Sequence, residues 1–139
     1  MPIKRKGKGF QFPKKVRQTG RYKENLPRII ANNSLNWFLE GFRKGGGQTD
    51  AGRWKERAST ARKNIGRAIL VLTGALRRDI RIRTLNIKKI ILGTARIPYA
   101  RRHNEGLKGM PKREFLGGSK KLDKKNKKII LRGLDKILG

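Results

Sequence analysis

The chain reads as an α+β protein: a small antiparallel sheet packed by an N-terminal helix and a C-terminal amphipathic helix, with a basic N-terminal arm. Three observations predict this class. Apolar residues recur at three- and four-residue steps toward both ends of the chain. The middle switches to the alternation of a half-buried strand. Residues 1–25 carry lysine and arginine without any usable period, and Pro2, Gly7, Gly9, Pro13 and Gly20 interrupt them. At 139 residues there is room for one domain, placed at 26–139 and preceded by an arm at 1–25 that is expected to be flexible.

The elements follow in order. The spacing predicts a helix over 27–44, with Pro27 at its first position and Ile30, Trp37, Phe38, Gly41 and Phe42 near one face. Gly45, Gly46 and Gly47 end it and open a flexible loop reaching about Gly52. A second helix is expected where Trp54, Ala58, Ala61 and Ile65 repeat at helical spacing. The apolar run at 69–72 stops at Thr73 and Gly74, and Thr73 is a candidate cap for a brief helical turn through Leu76 and Ile80. Residues 81–84 alternate as a strand does, Asn86 falls near a turn, and 89–92 reads as the returning strand, ended by Gly93. Two strands alone are marginal, so a helix or further strands must cover them. A short helix is expected over 98–106 and a short strand over 113–116. Ser119 is a good N-cap for a final helix to about Leu138. Leu122, Ile129, Ile130, Leu134, Ile137 and Leu138 make its apolar stripe, with Lys120, Lys121, Lys124, Lys125, Lys127 and Lys128 mostly elsewhere.

Composition narrows the function. Hydrophobic residues are 35% of the chain and charged residues 34%, so the core is modest. Lys+Arg number 38 against 9 Asp+Glu, a formal charge of +29. So much like charge repels itself in a compact state and calls for a polyanionic or acidic partner. In the arm the candidates for that contact, with nucleic acid or an acidic surface, are Lys4, Arg5, Lys6, Lys8, Lys14, Lys15, Arg17, Arg21 and Lys23. No apolar run approaches the ~20 residues of a membrane span, and the basic start lacks the apolar stretch of a signal peptide. With no cysteine, disulfides and thiolate metal sites drop out. These features point to synthesis inside a cell.

Nothing predicts catalysis. His103 is the only histidine, the acids are scattered, and the glycines at 45–47 lack the Lys-Ser/Thr of a phosphate-binding loop. His103-Asn104-Glu105 has no second histidine to complete a metal site, and His103 reads as structural. No cofactor is expected. Zinc-finger, aromatic RNA-binding and heptad-linked basic motifs are all missing, which leaves phosphate contact as the way this chain would bind nucleic acid.

Four segments carry a resemblance. They are 69–77, with Thr73-Gly74-Ala75-Leu76; 91–94, Ile-Leu-Gly-Thr; 99–106, with Tyr99-Ala100, His103 and Gly106; and 110–117, with Pro111, Arg113 and Phe115-Leu116-Gly117. Their order and separation resemble the virion morphogenesis, or tail completion, proteins of tailed bacteriophages, over about 54–139. The resemblance implies a non-enzymatic α+β subunit whose copies form a ring, expected to be a hexamer, at the head–tail joint. Such a ring completes or terminates the tail and meets the tail tube and the head connector. The implied location is the virion neck, after assembly in the host cytoplasm. Gly74, Leu76, Gly93, Tyr99, His103, Gly106, Pro111, Arg113 and Phe115 then become candidates for structural or subunit contacts, with Arg113 a candidate for a salt bridge between subunits. A ring channel that must pass DNA is poorly served by a lining of lysine. The basic groups are therefore expected to face acidic partners or to hold the packaged genome, with the arm the stronger candidate for DNA. The alternative reading is a general nucleic-acid-binding protein, ribosomal or nucleoid-like.

Overall fold

The computed structural model describes residues 12–56 and 74–139. In chain order these form α1 (Phe12–Lys44), α2 (Ala75–Asp79), β1 (Arg81–Leu85), β2 (Ile90–Gly93), α3 (Ala100–Glu105) and α4 (Lys120–Leu138). The class is the mixed helix-and-sheet one expected, with α1 and α4 packed together and a two-stranded antiparallel sheet set against this helical layer.

The first helix begins earlier than its sequence suggests. α1 is 33 residues long and runs through 12–25, the second half of the expected arm, with Pro27 in its interior. Pro13 takes the place assigned to Pro27: in the first turn its missing N–H costs nothing, because that donor would have no helical acceptor. The helix ends at the glycines. Gly45, Gly46 and Gly47 all have positive φ, which a residue with a Cβ adopts only at a cost. Gly46 N–H donates to Gly41 O at 2.8 Å and Trp54 N–H to Gly45 O at 2.9 Å. A Cβ at Gly46 would lie 2.6 Å from the Trp54 ring. The expected flexible loop is thus a hydrogen-bonded turn closed over an indole.

Ala31, Phe38 and Phe42 on α1 are buried and fall at the spacing of one helical face. The core cluster joins Phe42 to Trp54, Leu76, Ile80, Ala100 and Phe115. Trp54 meets Phe42 edge-on at 5.3 Å between ring centroids, a favoured aromatic geometry. Trp54 to Glu56 are not helical; the remainder of the expected second helix, with the 69–72 run and Thr73, lies outside the described residues.

β1 and β2 form a hairpin, Arg81 opposite Gly93 and Leu85 opposite Ile90, with an irregularity between Ile82 and Thr84. Its turn is built by Asn86, whose Oδ1 accepts from the N–H of Lys88 at 2.9 Å and of Lys89 at 2.8 Å. α1 supplies the cover that a lone hairpin requires. α3 ends at Gly106 in the left-handed conformation, φ 71°. Ser119 caps α4, its Oγ accepting from Leu122 N–H at 3.2 Å.

α4 lies antiparallel to α1. Lys15 Nζ donates to Leu138 O at 3.2 Å, Tyr22 Oη to Ile130 O at 2.8 Å, and Asn33 Nδ2 to Asn126 Oδ1 at 2.8 Å. Gly133 permits this approach: a Cβ there would collide with the Tyr22 phenol.

Candidate functional site

Described residues from three of the four segments that carry the resemblance, Leu76, Ala100 and Phe115, meet in the core. Leu76 and Phe115 are 2% and 3% exposed, and Gly74 starts α2 at φ 76°. Gly93 ends β2, and its carbonyl accepts from Arg83 Nε at 3.1 Å. Tyr99 stands at the start of α3, partly exposed, with its ring edge-on to His103 at 5.7 Å. Pro111 is half-buried in the segment that follows Gly106.

Residues 113–116 do not form the strand expected of them. The side chain of Asn104 takes the part of a neighbouring strand. Its Oδ1 accepts from the N–H of Phe115 at 2.9 Å and of Leu116 at 3.0 Å, while Nδ2 donates to Leu116 O at 3.0 Å. Arg113 N–H donates to His103 O at 2.8 Å. The Arg113 side chain, expected at a subunit boundary, is buried within its own subunit. Its guanidinium donates to the carbonyls of Lys55 at 2.8 Å and Glu56 at 3.2 Å. Trp54 Nε1 donates to Glu114 O at 2.9 Å. Arg113, Trp54 and Asn104 together fasten this segment to the chain after α1 and to α3.

His103 is half-buried, and among the described residues its Nδ1 has no hydrogen-bond partner. Burial foremost, and then the charge of Arg113, hold its pKa below the ordinary value, so the ring is neutral at pH 7. Among the described residues no group of three or more histidines, cysteines or acids is placed to hold a metal.

Asp79 was not anticipated from the sequence. It lies buried beside Arg83 of β1 and the backbone of the loop that follows β2. Its Oδ2 accepts from the N–H of Arg96 at 2.9 Å and of Ala95 at 2.8 Å. Oδ1 pairs with Arg83 at 3.3 Å. The backbone hydrogen bond from Arg96, first among the causes, holds its carboxyl below the usual carboxylate range. A sequence signal was available: an acid bracketed by arginines, one turn after a glycine stop and directly before a strand.

Of the basic candidates, Lys4, Arg5, Lys6 and Lys8 lie outside the described residues. Lys14, Arg17, Arg21 and Lys23 are exposed on α1, and Lys15 is half-buried against the end of α4. The structure therefore spreads 14–23 along a helix and does not gather them into a loose arm. A second basic surface, the lysine-rich side of α4, is exposed as well. Beside the hairpin turn, Glu24, Asn25, Pro27, Arg28, Leu85, Asn86 and Ile87 line an open groove of about 200 Å³. Among the described residues no helix is long and apolar enough to cross a membrane.

Compared with protein-family models, curated proteins and solved structures, the chain matches none of them.

Proposed function

We propose that this chain is a structural virion subunit that assembles into a ring at the head–tail joint of a tailed bacteriophage, where it completes or terminates the tail. One observation carries the reading. Leu76, Ala100 and Phe115, from three of the four resembling segments and far apart in sequence, converge on one packing centre, and the Asn104 side chain ties two of those segments together. Motifs that serve as a frame fit a subunit whose work is to hold shape. The partners on this reading are further copies of the chain, the tail tube and the head connector, with the basic residues of the N-terminal arm touching packaged DNA. The hairpin suits a subunit contact. Among the described residues it is two strands wide, with no further strand beside either edge, and it exposes Leu85, Ile87 and Ile91. A head-to-tail ring requires two different complementary faces on each subunit, and the hairpin, which carries Arg81, Arg83, Lys88 and Lys89 beside its exposed apolar residues, is a candidate for one of them.

Light scattering and native mass spectrometry of purified protein test the assembly, and labelling of intact particles tests the place. A discrete closed oligomer and label between capsid and tail are the expected results. A monomer at every concentration and ionic strength, or label elsewhere, would overturn the proposal. The charge of +29 favours a second reading, a general nucleic-acid-binding protein. A monomer whose main behaviour is salt-sensitive association with RNA would favour that one.

A further inference from the structure

We infer that the outward face of α4 is a docking surface for duplex nucleic acid, held through the phosphate backbone without reading of bases. The inference does not depend on ring formation, so its failure would leave the ring reading standing.

The lysines of residues 120–128 are all exposed, with Asp123 the single acid among them. The ion pairs found among the described residues, Glu40–Arg43, Asp79–Arg83 and Arg101–Glu105, all lie elsewhere. Helix stability does not account for these lysines. They crowd the N-terminal half of α4, where the helix dipole disfavours cations. Lys120–Lys124, Lys121–Lys125 and Lys124–Lys128 are like charges four residues apart, which repel. Packing accounts for Lys125, which lies over Trp37 of α1, but not for the other lysines, because the inward positions of α4 are Leu122, Asn126, Ile129, Ile130, Gly133, Leu134 and Ile137. A surface kept against both effects fits a partner that brings dense negative charge.

The side chains also discriminate among such partners. Protein interfaces centre on aromatic and apolar groups and are poor in lysine; on α4 the large exposed apolar side chains, Leu131 and Leu138, lie beyond the dense lysine region. Single-stranded nucleic acid is gripped by stacking on aromatics, and α4 has none. Base reading in a groove favours arginine and amide side chains, and the one arginine of α4, Arg132, lies outside the lysine region. Lysine offers a point charge suited to phosphate. The helix is rigidly placed for this contact. Its 19 residues span about 28 Å, its first turn is held by Ser119 and by Asp50 Oδ1 accepting from Lys120 N–H at 2.9 Å, and Lys125 Nζ rests 5.5 Å from the Trp37 ring centroid.

The test is the binding of the full chain to a mixed-sequence DNA duplex over a range of NaCl concentrations. The triple variant Lys121→Gln, Lys124→Gln, Lys128→Gln should lose about tenfold or more in affinity at low salt. Its log–log salt slope should become shallower by about 0.9 for each phosphate that the variant no longer neutralises. A charge-matched control, Lys88→Gln, Lys89→Gln, Lys108→Gln, removes the same charge from other exposed positions and should keep the parental slope. Circular dichroism of both variants establishes that they remain folded. Equal losses in the two variants would overturn the proposal, as would an unchanged slope in the α4 variant. Tighter binding of polyglutamate than of duplex would overturn the choice of partner.

Discussion

Gly133 and Asn104 are the single residues on which most depends. Any side chain at Gly133 drives a carbon into the Tyr22 phenol, so Gly133→Ala should lower stability by about 1–3 kcal/mol, as other overpacked sites do. In a Tyr22→Ala background the same change should cost clearly less, because the colliding ring is gone. Thermal melts of the four proteins check this, and equal costs in both backgrounds would refute the contact. Asn104→Ala strips partners from two backbone N–H groups and one carbonyl and should cost about 2–3 kcal/mol in urea titration. His103 contributes a pH dependence with a definite sign. Its pKa in the fold is depressed by burial and then by Arg113, so below about pH 6.5 the unfolded chain takes up the proton more readily than the folded one. The contribution to stability is complete above that pH and is lost as pH falls toward the lowered value. Melting temperature should therefore drop between pH 7.5 and 5.5 in the parent, and drop less in His103→Gln; parallel curves would contradict the assignment.

At the scale of elements, the best test is the cap that was legible in the sequence. Ser119→Ala removes an acceptor from Leu122 N–H and should destabilise the protein by about 1 kcal/mol, whereas Ser119→Asp should retain most of the stability. If chemical denaturation shows no difference between Ala and Asp, the cap contributes nothing. The hairpin, α3 and α4 were readable because each is bounded by a residue with one strong local reason to be there: Asn86 in its turn, Gly106 in the left-handed region, Ser119 with a free acceptor. The start of α1 was not readable. Gly20 and Pro27 are interruptions by local preference, and packing on α4 through Tyr22, Asn33 and Ser34 overrides them. The same limit explains 113–116, which has the residues of a strand but finds its hydrogen-bond partners in one asparagine side chain. The candidate site divides similarly. Leu76 and Phe115 could be recognised as core, but Arg113 reads as a surface cation until its carbonyl acceptors, 57 and 58 residues away, are known.

At the scale of the whole molecule, charge governs behaviour. Against 38 basic residues stand 9 acids, and several of those acids are occupied with the fold. Asp79 anchors the loop after β2, Asp50 holds the start of α4, and Glu114 accepts from Thr49 Oγ1 at 3.1 Å. Little of the remaining positive charge is balanced within the chain, so repulsion must oppose both folding and the approach of one copy to another. Salt should relieve both. Between ~0.01 M and ~0.1 M the screening length falls from ~30 Å to ~10 Å, which takes it from roughly the length of α4 to well below it. The melting temperature in NaCl should rise over that range by about 3 °C or more, since 1 kcal/mol corresponds to about 3–5 °C for a chain of this size. Sodium tripolyphosphate should achieve the same rise at far lower concentration, because each molecule brings several charges to the lysines of α4. Self-association measured by sedimentation should follow the same order, weakest in low salt and strongest with the polyanion. A melting temperature flat from ~0.01 M to ~0.3 M NaCl would mean that repulsion among the basic groups does not oppose folding, and the case for a polyanionic partner would then lose its physical basis.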